Sequence, residues 1–284
     1  MQNIEFEWKT SDGLKIFAQL WKPQGEIKAV ICLVHGLGEH SSRYKKLPEK
    51  LTSQGYALRG FDQRGHGKSE GRRGYTPSYE LMLENITLLL QEARKRIPNT
   101  PLFLYGHSMG GNLVINYALR KKPDIKGVIV TGPWLKLTHP PGYLLFKAAK
   151  FLNRFFPTFR TYNGIKPAEL SHDKKRIGEI EEDKYLHPWI AARTFMGVHD
   201  AGCFALQHAA EFNYPILIMH GGADNVTSVE ASREFAEKVK QNCTFKVWEG
   251  LYHEIHNEPR NGEIFAAALE WLNRQNEQRQ AILR

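Results

Sequence analysis

The chain has 284 residues, enough for one large domain or a domain with a sizeable insert. Apolar residues at 42% and aromatics at 11% are sufficient for a well-buried core, and three scattered cysteines without a CxxC (Cys32, Cys203, Cys243) exclude a disulfide scaffold and point to reducing, cytoplasmic surroundings. The net charge of +9 brings nucleic acid and anionic lipid into consideration, and only its distribution along the chain can separate them.

The opening MQNIEFEWKTSDG has no basic stretch followed by an apolar one, so no secretory signal is expected. Residues 1–22 read as a hairpin turning at Ser11-Asp12-Gly13. A buried strand at 29–34 (AVICLV) ends in His35-Gly36, a helical stretch follows near 43–54, and another strand spans 56–61. Ser78–Arg96 has helical periodicity and closes on Arg94-Lys95-Arg96, cations that suit a helix C-terminus. Strand 102–105, helix 112–122 and strand 127–130 continue an alternation that predicts a parallel sheet with crossover helices. Between 133 and 210 the β signal fades, then strand 215–219, helix 228–240, strand 244–248 and a helix near 262–273 resume the rhythm. The tail 274–284 is expected to fray. The expected organisation is core residues 1–132, a helical cap insert at 133–210, and core residues 211–284. The most apolar runs, 29–34 and 215–219, are too short to span a bilayer.

Gly106-His107-Ser108-Met109-Gly110 lies between a predicted strand and a predicted helix, the setting of a nucleophile elbow. The turn is sharp enough that the residues two before and two after the serine must be small, and here both are glycine. A serine hydroxyl needs a base, and the base an orienting carboxylate, in the chain order Ser, Asp, His. Asp224 follows strand 215–219 within His220-Gly221-Gly222-Ala223-Asp224, and His253 follows strand 244–248 within Gly250-Leu251-Tyr252-His253. Taken singly, Asp224 reads as a turn or helix-capping aspartate and His253 as a loop histidine, with His256 a rival base. HEIHN at 253–257 also has the look of a metal motif, but its histidines are three apart with no third ligand. The oxyanion hole requires two backbone N–H groups, expected from Met109 and from Leu37 in His35-Gly36-Leu37-Gly38. Strand–helix alternation, elbow and triad together predict an α/β-hydrolase fold, a mostly parallel central sheet flanked by helices, with a helical cap insert.

His35-Gly36-Leu37-Gly38-Glu39-His40 with Arg43-Tyr44 resembles the HGxGEHxxRY signature of monoacylglycerol lipases and their lysophospholipase relatives. The segments Phe61–Ser69, GHSMGG at 106–111, and Gly250–Glu254 with Asn257-Glu258 are similar to the same family, and the last favours His253 over His256. The likeness runs from about residue 5 to 272. It departs in the insert, where the family often has Ser-Arg-Asp against Ser171-His172-Asp173, and Asp-Pro-Leu against Asp183-Lys184-Tyr185. The resemblance implies a serine ester hydrolase releasing fatty acid from monoacylglycerol, with no cofactor or metal. Lysophospholipase or general carboxylesterase activity on the same triad is the alternative, and a non-enzymatic lipid-binding scaffold a reading of another class.

Between Pro133 and Arg176 nine cationic side chains face only Glu169 and Asp173, so the positive charge is local. Read as a helix, 143–156 places Lys147, Lys150 and Arg154 on one face and Leu144, Ala148, Phe151, Leu152 and Phe155 on the other. Two readings stay open: an apolar face packed on the domain, which is the simpler, or a helix lying in anionic headgroups as a peripheral membrane contact. Nucleic acid is not expected, because no stacking platform or groove-reading motif accompanies the charge. His107 should point away from the elbow, and His66 should tie a loop by hydrogen bonds.

Overall fold

A computed structural model describes residues 1–282. The first hairpin pairs β1 (Gln2–Lys9) with β2 (Lys15–Lys22), and Gly13 turns it with a φ of 87°. Six further strands complete an eight-stranded sheet: β3 (Ala29–Val34), β4 (Tyr56–Phe61), β5 (Leu102–His107), β6 (Gly127–Thr131), then β9 (Ile216–Gly221) and β10 (Cys243–Trp248); two short strands between β6 and β9 in the chain, β7 (Arg160–Tyr162) and β8 (Trp189–Ala191), lie outside this sheet. Their order is β1-β2-β4-β3-β5-β6-β9-β10, antiparallel at β1–β2–β4 and parallel from β4 onward. This is the α/β-hydrolase architecture the sequence predicts.

The continuous apolar character of the inner strands follows from burial on both faces. Along β3, Val30, Cys32 and Val34 enter one core while Ala29, Ile31 and Leu33 enter the other. The first core is covered by α2 (Tyr79–Arg96), α3 (Met109–Lys121) and α7 (Val229–Val239), the second by α1 (Lys46–Ser53) and α8 (Asn261–Ile282). Ser78 caps α2, its Oγ accepting from Leu81 N–H at 3.3 Å. The expected tail is helical through Ile282, and residues 283–284 lie outside the described residues.

Because β6 and β9 are parallel neighbours, the chain between them must return to the starting end of the sheet. It does so after α4 (Tyr143–Phe155), β7 (Arg160–Tyr162), α5 (Lys174–Glu182) and β8 (Trp189–Ala191), along α6 (Ala192–Gln207). The strands β7 and β8 form an antiparallel pair that the sequence does not announce; at three residues each they are too short to carry a periodicity. Helix α6 is fastened to α3 by two buried asparagines. Asn112 Nδ2 donates to Val198 O (3.1 Å) and Asn116 Nδ2 to Ala201 O (3.0 Å).

Helix α4 corrects one expectation. Its apolar row does not pack on the domain: Leu144 is 81% exposed, Phe151 56% and Phe155 61%. The helix leans instead on the sector holding Phe146, whose ring meets His199 of α6 edge-on at 4.9 Å, and Asn153, whose carbonyl accepts from Arg193. Among the described residues no helix is long and apolar enough to cross a membrane.

Candidate active site

Four neighbouring parallel strands, β5, β6, β9 and β10, deliver the site residues from successive loops at their C-terminal ends, where open α/β sheets place their ligands. Ser108 follows β5 with φ 52° and ψ −118°, a backbone conformation strained for any side chain. Its N–H donates to Thr131 O (3.0 Å), and its carbonyl accepts from Asn112 N (3.1 Å) and Trp134 N (3.0 Å). A Cβ on Gly106 would strike Gly110 O, and one on Gly110 would strike Val34 O, so the elbow closes only with glycine at both positions. The N-terminus of α3 points its partial positive charge at this turn, with no acidic residue in its first turn to cancel it.

Asp224 lies beyond β9 and His253 beyond β10, and His253 Nδ1 donates to Asp224 Oδ2 at 2.7 Å. The carboxylate is fully committed. Oδ1 accepts from Val226 N (2.7 Å) and Thr227 N (2.9 Å), while Oδ2 also meets Thr227 Oγ1 (2.9 Å) and His220 Nε2 (3.1 Å). Burial alone would raise the Asp224 pKa, but the charge of His253 and the donors of His220 and His253 hold it well below the carboxylate range. Burial works against protonation of His253, and Asp224 outweighs it, so the imidazole is raised above its ordinary value. Gly132 after β6 leaves the space open, for a Cβ there would sit 3.2 Å from His253 Nδ1 and 3.3 Å from Asp224 Oδ2. An imidazole held in the Nδ1–H tautomer keeps Nε2 available as a base.

Leu37 lies on the turn after β3, beside the elbow: a Cβ on Gly36 would come within 3.1 Å of Ser108 Cβ. Among the described hydrogen bonds the N–H groups of Leu37 and Met109 have no acceptor, whereas Gly36 N–H donates to Glu39 Oε1 at 2.5 Å. Glu39 also accepts from Tyr44 OH (2.8 Å), and Arg43 forks onto Glu254 at 2.6 and 2.9 Å. Burial raises Glu39, only partly opposed by Arg43; the same guanidinium overcomes burial at Glu254 and lowers it. This buried ionic cluster braces the turn after β3 against the His253 loop. Its residue types lie within the sequence signature, but the pairing of Arg43 with Glu254 carries no local signal.

Ser108 and His253 open into one cavity of about 670 Å³, walled by Leu37, Trp134, Leu137, Leu170, Ile180, Leu186, Ile190, Phe195 and Val226, with Glu39 and Arg43 among its polar members. Most of the apolar wall comes from the chain between β6 and β9. His107 turns its Nδ1 to Thr131 O (3.0 Å), and His66 Nδ1 ties Arg64 O (2.9 Å). His256 is buried against Tyr44, with neither ring nitrogen hydrogen-bonded among the described residues, and burial lowers its pKa to about 3. Thr227 and His220, both on the Asp224 carboxylate, escape sequence reasoning, since a threonine and a histidine in a loop have many commoner uses. Among the described residues no group of three or more His, Cys, Asp or Glu side chains is arranged to hold a metal.

An elbow serine at the head of α3, sharing one cavity with a carboxylate-held histidine, defines a serine hydrolase of the α/β-hydrolase fold. The chain belongs to the serine aminopeptidase S33 family, which matches residues 25–260. It is 31% identical to human monoglyceride lipase over 87% of its own length and 82% of that protein. An uncharacterized abhydrolase domain-containing protein of Dictyostelium discoideum is 34% identical over 93% of the chain, which spans only 28% of that relative's length. The crystal structure of Paleococcus ferrophilus monoacylglycerol lipase superposes with a TM-score of 0.82 at 33% identity, covering 97% of this chain and 100% of that one.

Proposed function

We propose that the protein hydrolyses carboxylic esters of long acyl chains, with monoacylglycerol as substrate, through an acyl-enzyme on Ser108. His253 Nε2 takes the hydroxyl proton as Ser108 Oγ attacks the ester carbonyl, and Asp224 steadies the imidazolium that forms. The N–H groups of Leu37 and Met109 stabilise the tetrahedral oxyanion; each such donor is worth about 3 kcal/mol, on the order of 100-fold in rate. The imidazolium returns its proton to the departing glycerol oxygen. Water, deprotonated by the same nitrogen, then cleaves the acyl-enzyme and releases the fatty acid. No cofactor takes part in any step. The 133–210 segment acts as a cap that admits the acyl chain.

The observation that carries this reading is the cavity of about 670 Å³ at Ser108, whose apolar members Leu37, Trp134, Leu137, Ile190, Phe195 and Val226 offer an acyl chain contact, while Lys166, Glu169 and Asp183 lie among its polar members beside a site for the alcohol. The relatives named monoglyceride lipase add to it. The exposed row of Leu144, Phe151 and Phe155 beside Lys147, Lys150 and Arg154 supports a second feature, peripheral contact with an anionic lipid surface. Fatty-acid release from monoacylglycerol, lysophosphatidylcholine, a p-nitrophenyl ester and a peptide p-nitroanilide tests the substrate. Monoacylglycerol turnover well above the others, abolished by Ser108→Ala, is expected. Ser108-dependent turnover confined to the small ester or the anilide would overturn the lipid assignment.

A further inference from the structure

We infer that His172 is a positioning residue for this hydrolysis, holding through Glu258 the backbone that carries His253. The inference rests on the serine hydrolase reading above and assigns His172 no contact with substrate.

Glu258 lies in the loop before α8 with no solvent exposure, so its carboxylate must find donors within the protein. On Oε1 it accepts from Tyr252 N–H at 2.8 Å and from His172 Nδ1 at 2.9 Å; on Oε2 it accepts from His172 N–H at 2.9 Å. Ser171 Oγ is farther, at 3.4 Å, and its single hydrogen is better used on Asn257 O at 3.0 Å. His172 therefore supplies two of the three good donors. Its ring also stacks on Tyr252, centroids 3.7 Å apart at 25°.

Tyr252 is the residue before His253. On the other side, Glu254 N–H donates to Leu170 O at 2.8 Å. The peptide N–H groups flanking His253 are thus both anchored, one through Glu258 to His172 and the other directly to Leu170. Residues 170–172 come from the segment between β6 and β9, so the position of that segment is written into the His253 loop. Without the ring donor, Oε1 keeps one partner, and a buried carboxylate oxygen so depleted will turn to find another, taking Tyr252 N–H with it. Catalysis is sensitive to such shifts, since about 1 Å of misplacement can cost on the order of 100-fold.

The test compares His172→Phe, which keeps a ring to stack on Tyr252 but offers no donor, with His172→Asn, whose amide nitrogen falls near the Nδ1 position. Turnover of p-nitrophenyl butyrate is measured per active site, each preparation titrated with a fluorophosphonate so that misfolded protein is not counted. The Phe variant should lose about tenfold in kcat with KM changed less than about twofold, and the Asn variant should recover most of the loss. A Phe variant within fivefold of wild type per site, a loss carried by KM, or an Asn variant no faster than Phe overturns the assignment. Wild-type turnover abolished by Ser108→Ala separates the two claims. Its absence overturns both, whereas its presence with any of those three results overturns the role of His172 alone.

Discussion

At the scale of single residues, Asp224 decides how His253 works. Five donors surround its carboxylate, and the one from His253 fixes the tautomer that leaves Nε2 free. Because Asp224 raises the pKa of His253, the acid limb of kcat/KM should fall with a midpoint above the ordinary imidazole value of about 6.5. The sign follows from the base having to be neutral: activity is present above that pKa and lost as pH drops through it. Asp224→Asn should lower kcat by roughly 10⁴ and move the limb to lower pH; a limb unmoved in that variant would show that another group titrates. Ser108, Asp224 and His253 are legible in the sequence because each follows a recognisable strand in a Gly-marked turn. Thr227, His220 and the Glu258–His172 pair are not, because their partners are brought together only by the tertiary fold.

At the scale of elements, the start of α3 is packed against the end of β3 with no room for one added carbon. Gly110→Ala would drive a methyl group into Val34 O, with His35 O also close, and backbone atoms cannot step aside as a flexible side chain does. A loss of about 2 kcal/mol in unfolding free energy is expected, together with impaired turnover, since the same shift displaces Ser108. Denaturant melts measured beside fluorophosphonate labelling will show whether the two fall together; an alanine variant as stable as wild type would mean the elbow can open without cost. The strands and helices of the sheet are readable because burial on two faces imposes continuous apolar runs, as in β3 and β9. Helix α4 has an equally readable period, yet the sequence favours packing its apolar row where the structure leaves it bare. Amphipathicity reports two faces and does not say which neighbour each one meets.

At the scale of the whole molecule, charge and apolar surface coincide. On α4 the exposed cations Lys147, Lys150 and Arg154 share one helix with the exposed Leu144, Phe151 and Phe155, so that helix is both basic and greasy. Replacing Lys147, Lys150 and Arg154 with glutamine should weaken co-sedimentation with anionic vesicles on the order of 100-fold, at about 1 kcal/mol per charge. Wild-type binding should weaken with added salt, as the Debye length shortens. Equal binding of wild type and triple variant, or equal binding to neutral vesicles, would assign that surface to something other than anionic lipid.

The return of the chain along α6 has a consequence for anyone who would re-engineer the entrance. Since α6 is bonded to α3 through Asn112 and Asn116, the sheet is already complete without the residues between Leu137 and His187. A graft could replace that stretch and change what enters. The replacement would still inherit obligations from the floor beneath it, among them a donor for Gly38 O, now met by His187 N–H at 3.0 Å, an acceptor for Glu254 N–H, now Leu170 O at 2.8 Å, and donors for the sealed carboxylate of Glu258. Entrances of many shapes are compatible with this base, provided each arrives with those handholds.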